Sequence, residues 1–563
     1  MTPTALHFRD VSVPTPDLDA LAKQVGELEA GLIAGQTVEA CLATVREWDV
    51  LRREVDTYGS LVHLRFNQDT TDPDRRQVRQ AWDEAQPRWT ELEVSMKRAL
   101  LAHPLRPQLV EALGDQAFAL WESDVLAFDP GIKADLAREA ELGAEYVELL
   151  AAAELSFGGE QLNLSSILKH RQSGDRDVRH GAERIHWEWF AANREALDRI
   201  FDELVALRTS MAKRLGYADF VDLGYQRMCR VDYGRADVER LRAAVVEHVV
   251  PFAEELRRRQ ADVLGLERLF AWDEAVHDPR GNPVPLGDHD WLLARARQMF
   301  DALGELGPFF RQMDDGGFLD LTDRKGKAGG GFCTSFPTHG MPFVYANFNG
   351  TQGDVEVFTH EMGHAFQCYQ SRSLALIDYL WPTYESAEIH SMSLEFLTGP
   401  HMERFFGDDA GRFRQVHLTE ALAARLPYGT AVDHFQHEIY AHPDLTPAER
   451  HDLWRGLERT YLPWRDWGDL DHPAKGGRWQ QQRHIYLRPF YYIDYVLAQT
   501  CALQFWVRAE RDRDGAMADY VALCGRGGEA PFQELIRSAG LTSPFDDGCL
   551  AEVVAQARTA LSA

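Results

Sequence analysis

A chain of 563 residues exceeds what one simple hydrophobic core holds, so two or more lobes are expected. Hydrophobic residues make up 45% and charged residues 26%, the balance of a soluble globular protein, and no apolar run is long enough to span a bilayer. The formal charge of −28, with no basic stripe, excludes a nucleic-acid binder and leaves two readings of the acidity: a solubilising surface or a negative cleft that favours basic peptides.

In chain order, the stretch Met1–Asp10 has neither a basic nor an apolar segment of the secretory type. Seven scattered cysteines, odd in number and without a C-x-x-C pair, read as reduced thiols, so a cytoplasmic location is expected. Apolar residues at three- and four-residue spacing predict helices over Leu18–Ala34, Thr37–Leu64 and Val78–Leu101. The same pattern runs from Gly181 to Leu215, where Trp187, Phe190, Leu197, Phe201 and Leu204 form a packing stripe. Pro and Gly clusters predict a loop or small hairpin over 278–287, an irregular region from Asp314, and a Gly-rich turn over 325–331. That turn carries lysines but lacks the G-x-x-x-x-G-K-[ST] order of a phosphate loop. Two short strands, Phe332–Phe336 and Phe343–Phe348, follow it, the second being the expected partner of an extended peptide.

The next helix, predicted from an N-cap at Asp354 to about Gln370, contains His360-Glu361-Met362-Gly363-His364. Histidines four apart share one helix face, so both imidazoles reach one metal ion, and the carboxylate of Glu361 is placed to take a proton from a water there. Val355, Phe358, Met362, Ala365, Phe366 and Tyr369 repeat at helical spacing and are expected to pack inward. Gly363 inside this helix costs about 1 kcal/mol relative to alanine, which a closely approaching backbone would explain.

A catalytic zinc site needs a third protein ligand and an open fourth position. No third histidine follows at the spacing of a three-histidine site, so a carboxylate on a second helix is sought. Glu385 and Glu388 both qualify, and their spacing does not choose between them. Glu395, seven residues beyond Glu388, lies on the same face and suits a hydrogen bond from a ligand imidazole.

Phe332-Cys333-Thr334, Asn347-Phe348-Asn349-Gly350-Thr351, the H-E-x-x-H helix and Glu385-Ser386-Ala387-Glu388-Ile389-His390-Ser391-Met392 together resemble the oligoendopeptidase F and Pz-peptidase branch of the thimet-oligopeptidase-like zinc metallopeptidases. A further block, His484-Ile485-Tyr486-Leu487-Arg488-Pro489-Phe490-Tyr491-Tyr492-Ile493-Asp494-Tyr495, is similar to that family's C-terminal His-and-Tyr segment. The resemblance covers roughly residues 180–510 and implies a mainly α fold with two helical lobes around a deep substrate cleft and a small β-sheet beside the active-site helix. It divides the chain into an N-terminal helical region, 1–180, and a catalytic region, 181–563. It implies one Zn2+ per chain held by His360, His364 and Glu388, with Glu361 as general base and His484, Tyr492 and Tyr495 as donors to the oxyanion. Helical spacing puts Tyr492 and Tyr495 on one face and turns Tyr491 away. The implied substrates are short unstructured oligopeptides cut at internal bonds. Neither nucleic acid nor membrane is an expected partner, and the oligomeric state is not legible.

Overall fold

The computed structural model describes residues 6–562; the first five residues of the stretch read for a secretory signal lie outside them. The fold is mainly α-helical, with two small sheets. The chain forms two compact units, neither a single stretch of sequence. The first comprises the chain up to Pro130, Val284–Ala410 and Cys501–Thr542; the second comprises Gly131–Pro283, Gly411–Thr500 and the chain from Ser543. The 180/181 division therefore falls inside the first stretch of the second unit.

In the first unit, helices α1 (Leu18–Ala34), α2 (Val38–Gln68) and α3 (Pro73–Leu101) pack side by side. Each begins at a capping side chain: Asp17, Thr37 and Asp72 accept from the first free backbone N–H groups, and Pro73 occupies a position where no N–H is needed. Arg52 of α2 donates two bonds, both of 2.6 Å, to the Asp378 carboxylate and a third of 3.1 Å to Glu93 of α3. This pins the helices to the segment that leads into the ligand-bearing helix described below.

The 181–215 pattern is two helices, Arg176–Ala192 and Arg194–Arg214, broken at Asn193. The Asn193 amide turns back to donate to the Trp189 carbonyl at 2.9 Å, ending the first helix without disturbing the apolar stripe. A hairpin in the second unit, β1 (Leu155–Phe157) with β2 (Glu160–Leu162), is too short to leave a periodic signal. The 278–287 segment contains no strand.

The sheet of the first unit has the order β3 (Leu319–Thr322), β5 (Met341–Phe348), β4 (Phe332–Phe336). β3 runs parallel to β5, and β4 pairs with it antiparallel, Cys333 opposite Val344. β5 is thus bonded on both sides and is largely buried, which overturns its expected role as the partner of a peptide; β4 is an edge strand. In the preceding turn, Lys327 is buried and its ammonium donates to Asp320 Oδ1 at 2.9 Å and to the carbonyls of Asp320, Thr322 and Ala346. These bonds tie the turn to the sheet and occupy the ammonium that a phosphate loop would present to its ligand.

Candidate metal centre and donor cluster

The motif helix spans Gln352–Ser371 and the ligand helix Tyr384–Leu397. Asp354 lies inside the motif helix, two residues after its start, so it is not the N-cap. Its carboxylate instead accepts from the backbone N–H groups of Asn349 and Gly350, at 2.9 and 2.7 Å, and draws the preceding loop onto the first turn. Val355, Phe358, Met362, Ala365 and Phe366 are buried beneath the helix. Tyr369 is half-buried and donates to Gln312 Oε1 at 3.0 Å.

Two helices bring the motif together because one of them has no side chain at the crossing. A Cβ on Gly363 would lie 2.5 Å from the His390 carbonyl oxygen and 2.7 Å from Ser391 Cα. Glycine at 363 is therefore a requirement of close helix packing. Gly363→Ala is expected to force the helices apart and destabilise the fold by about 1–3 kcal/mol, despite a gain of about 1 kcal/mol in helix propensity. Denaturant titration checks this: a midpoint equal to or above that of the wild type would show that the crossing tolerates a methyl group.

Across that crossing Glu388 Oε2 lies 3.3 Å from His360 Nε2 and 3.4 Å from His364 Nε2. Single donor atoms of the three residues fall within 4.8 Å of one another. Glu385, the other candidate, starts the ligand helix, where Thr383 Oγ1 donates to its carboxylate at 2.9 Å. Ser391, one turn after Glu388, donates to Glu388 Oε2 at 3.0 Å; sequence reasoning did not single it out, although its position three residues on is the signal that could have. His360 Nδ1–H donates to Glu395 Oε1 at 2.7 Å, so Nε2, which faces Glu388, is the nitrogen whose lone pair would be available to a metal ion.

Electrostatics fit a cation at this point. Burial alone would hold the His360 imidazole low, but the hydrogen bonds and charges of Glu388 and Glu395 outweigh it and raise it well above the ordinary histidine range. Burial pushes Glu388 up, yet the two histidines hold its carboxyl well below the carboxylate range. Burial raises the Glu361 carboxyl. Glu361 Oε2 is buried without a hydrogen-bond partner, and its Oε1 stands 3.4 Å from where a Cβ of Gly331 would be. Two imidazoles, a carboxylate and a neighbouring carboxylate oxygen with no protein partner form a donor set suited to a divalent zinc-like ion.

In the second unit, Arg483–Leu487 forms a short helix and Tyr492 begins another that runs to Arg511. Phe490, between them, has a left-handed backbone (φ 68°). Its N–H donates to Gln436 Oε1 at 2.8 Å, and Arg230, which is itself 2.8 Å from Asp494 Oδ1, donates to its carbonyl. Gly224 leaves room for the Phe490 ring, since a Cβ there would sit 2.5 Å from it. This kink gathers His484 with all three tyrosines: ring centroids lie 5.5, 5.1 and 5.8 Å from Tyr491, Tyr492 and Tyr495. Tyr491 is stacked on His484 instead of turned away, because it precedes the helix and helical spacing does not apply to it. Gln482 Nε2 bonds His484 Nδ1 at 2.7 Å, and Tyr428 donates to Gln482 Oε1 at 2.8 Å. Neither partner carried a legible signal, since Gln482 is one of three consecutive glutamines and Tyr428 is a single aromatic residue far away in the sequence.

Residues 307–554 match the model of peptidase family M3, and residues 8–128 match that of the peptidase M3 N-terminal domain. A crystal structure of an oligoendopeptidase F is 44% identical over 99% of each chain, with a TM-score of 0.95. Pz peptidase A, solved with an inhibitor, is 41% identical over 99% of each chain, also with a TM-score of 0.95. Oligopeptidase PepF of Bacillus subtilis (strain 168) is 22% identical over 238 residues, a match that spans 40% of this chain and only 34% of that relative.

Proposed function

The chain belongs to peptidase family M3, and from that premise we propose that it is a zinc-dependent oligopeptidase that hydrolyses internal bonds of short unstructured peptides. The observation that carries this reading is the meeting of His360, His364 and Glu388 beside the partnerless oxygen of Glu361. One zinc ion per chain, held by those three residues, would supply Lewis acidity for the attacking water and the scissile carbonyl. Glu361 takes the proton of the attacking water and returns it to the leaving amine nitrogen. Glu395 holds the His360 ring in the tautomer that keeps Nε2 free, and Ser391 steadies the Glu388 carboxylate. His484, Tyr492 and Tyr495 are N–H and O–H donors suited to the oxyanion that develops on the carbonyl. Tyr491, stacked on the same imidazole, orients it.

The edge of β4 suits an extended peptide, whose main chain would add as a further strand and so be read with little regard to sequence. None of the seven cysteines is joined in a disulfide, which fits a reducing, cytoplasmic setting. No helix among the described residues is long and apolar enough to cross a membrane.

Metal removal tests the reading. The purified protein is expected to hold about one zinc per chain and to cleave an internally quenched, bradykinin-like peptide. Dialysis against a chelator abolishes cleavage, and stoichiometric zinc restores it. A fully zinc-loaded protein that cuts neither this peptide nor a short-peptide library is a binding protein, and the enzyme reading fails.

A further inference from the structure

Within the first unit, a cavity of about 560 Å³ is lined by residues of α2 and α3, with Phe332, Cys333 and Thr334 of β4 on a third side. Its charges do not balance. Arg52, the one guanidinium in the wall, is occupied by Asp378 and Glu93. Asp56 projects from α2 into the same space, and among the described residues it has neither a hydrogen bond nor an ion pair. Solvent reaches Asp56 through the cavity, but desolvation, and then the charge of Glu93, push its carboxyl up to about 6 against the pull of Arg52, so above that pH it is ionised without a direct ion pair. Trp82 and Trp89 of α3 contribute indole surface to the wall. A carboxylate without a partner beside aromatic rings is the environment that attracts an alkylammonium or guanidinium group.

The cavity is also connected to the chemistry. Gly331, at the start of β4, is the point where that strand meets Glu361, and Thr334 is three residues farther on. At about 3.3 Å per residue, a peptide laid along the β4 edge passes the cavity about 10 Å from Glu361, two to three residues from the scissile bond. Alternate side chains of that peptide point to opposite faces, so one of them enters the cavity.

We propose that this cavity is a specificity subsite in which Asp56, walled by Trp82 and Trp89, receives an arginine or lysine side chain of the substrate two or three residues from the cleaved bond. The inference rests on the peptidase reading and on the β4 edge as the peptide track. It gives the surplus of negative charge a local purpose that solubility alone does not.

The test is a set of quenched peptides of one sequence, each with arginine or its uncharged isostere citrulline placed in turn at the four positions on either side of the cleaved bond. Assays run at a pH where Asp56 is ionised. Zinc-loaded wild type is expected to prefer arginine about tenfold in kcat/KM at one position two or three residues from the bond. In Asp56→Asn that arginine-to-citrulline ratio falls to near one. Calorimetric binding of the same pair to Glu361→Gln and to Glu361→Gln/Asp56→Asn reads the discrimination without turnover. A ratio unchanged by Asp56→Asn, or no preference at any position while the peptides are cleaved, overturns the subsite and leaves the peptidase reading standing. Failure to cleave any peptide of the set would instead remove that reading, and the subsite with it.

Discussion

Glu361→Gln is expected to retain about one zinc per chain while kcat/KM for a quenched peptide falls by about 10²–10⁴-fold, the usual share of a general base. Glutamine keeps the shape of the side chain, so Gly331 and the motif helix have nothing new to accommodate, and His360, His364 and Glu388 are untouched. What disappears is the anionic oxygen. Glu361 Oε2 has no protein partner, so replacing it by an amide breaks no internal hydrogen bond and removes only basicity. Metal analysis and kinetics on the same preparation separate the two quantities. Loss of zinc together with activity would make Glu361 part of the metal site. A variant that keeps more than about a tenth of wild-type activity would place the base elsewhere.

Particular residues show how much of this was legible in the sequence. The four-residue spacing of His360 and His364, and the seven-residue spacing of Glu388 and Glu395, are helical periods that survive into the structure because both segments are regular helices there. The need for glycine at 363 shows as a local oddity, but its cause is the backbone of a helix more than twenty residues away. The exposed strand edge was not legible. It depends on β3, four residues pairing in parallel after a turn at Gly316 and Gly317, too short to show alternation and placed by a non-local partner. Tyr491 was misplaced because helical spacing was extended through the turn at Phe490. Asp56 carries no sequence signal at all, since one aspartate on an amphipathic helix reads as plain surface until α3 and β4 are seen to line the same cavity.

Glu388→Ala is expected to weaken zinc binding by well over the 10–100-fold that loss of an outer partner such as Glu395 typically costs, and to abolish peptide cleavage. Glu388 Oε2 is the atom on which both imidazole nitrogens converge, and with it gone two histidines on one helix face are left without a negative ligand. Ser391 Oγ also loses an acceptor, although the Glu388 carbonyl, at 3.0 Å, remains for it. Glu385→Gln is the matching control. Its carboxylate accepts from Thr383 at the start of the ligand helix, an acceptor role that an amide oxygen also fills, so zinc content stays near one per chain. Competition with a chromophoric chelator gives the affinity of each variant directly. Should Glu385→Gln lose the metal while Glu388→Ala keeps it, the third ligand would come from the first turn of that helix, and the short Glu388–histidine distances would have to be read as ion pairing alone. The reverse order would leave Glu388 as the carboxylate that completes the site, with Gly363 as the residue that lets its helix come close enough to do so.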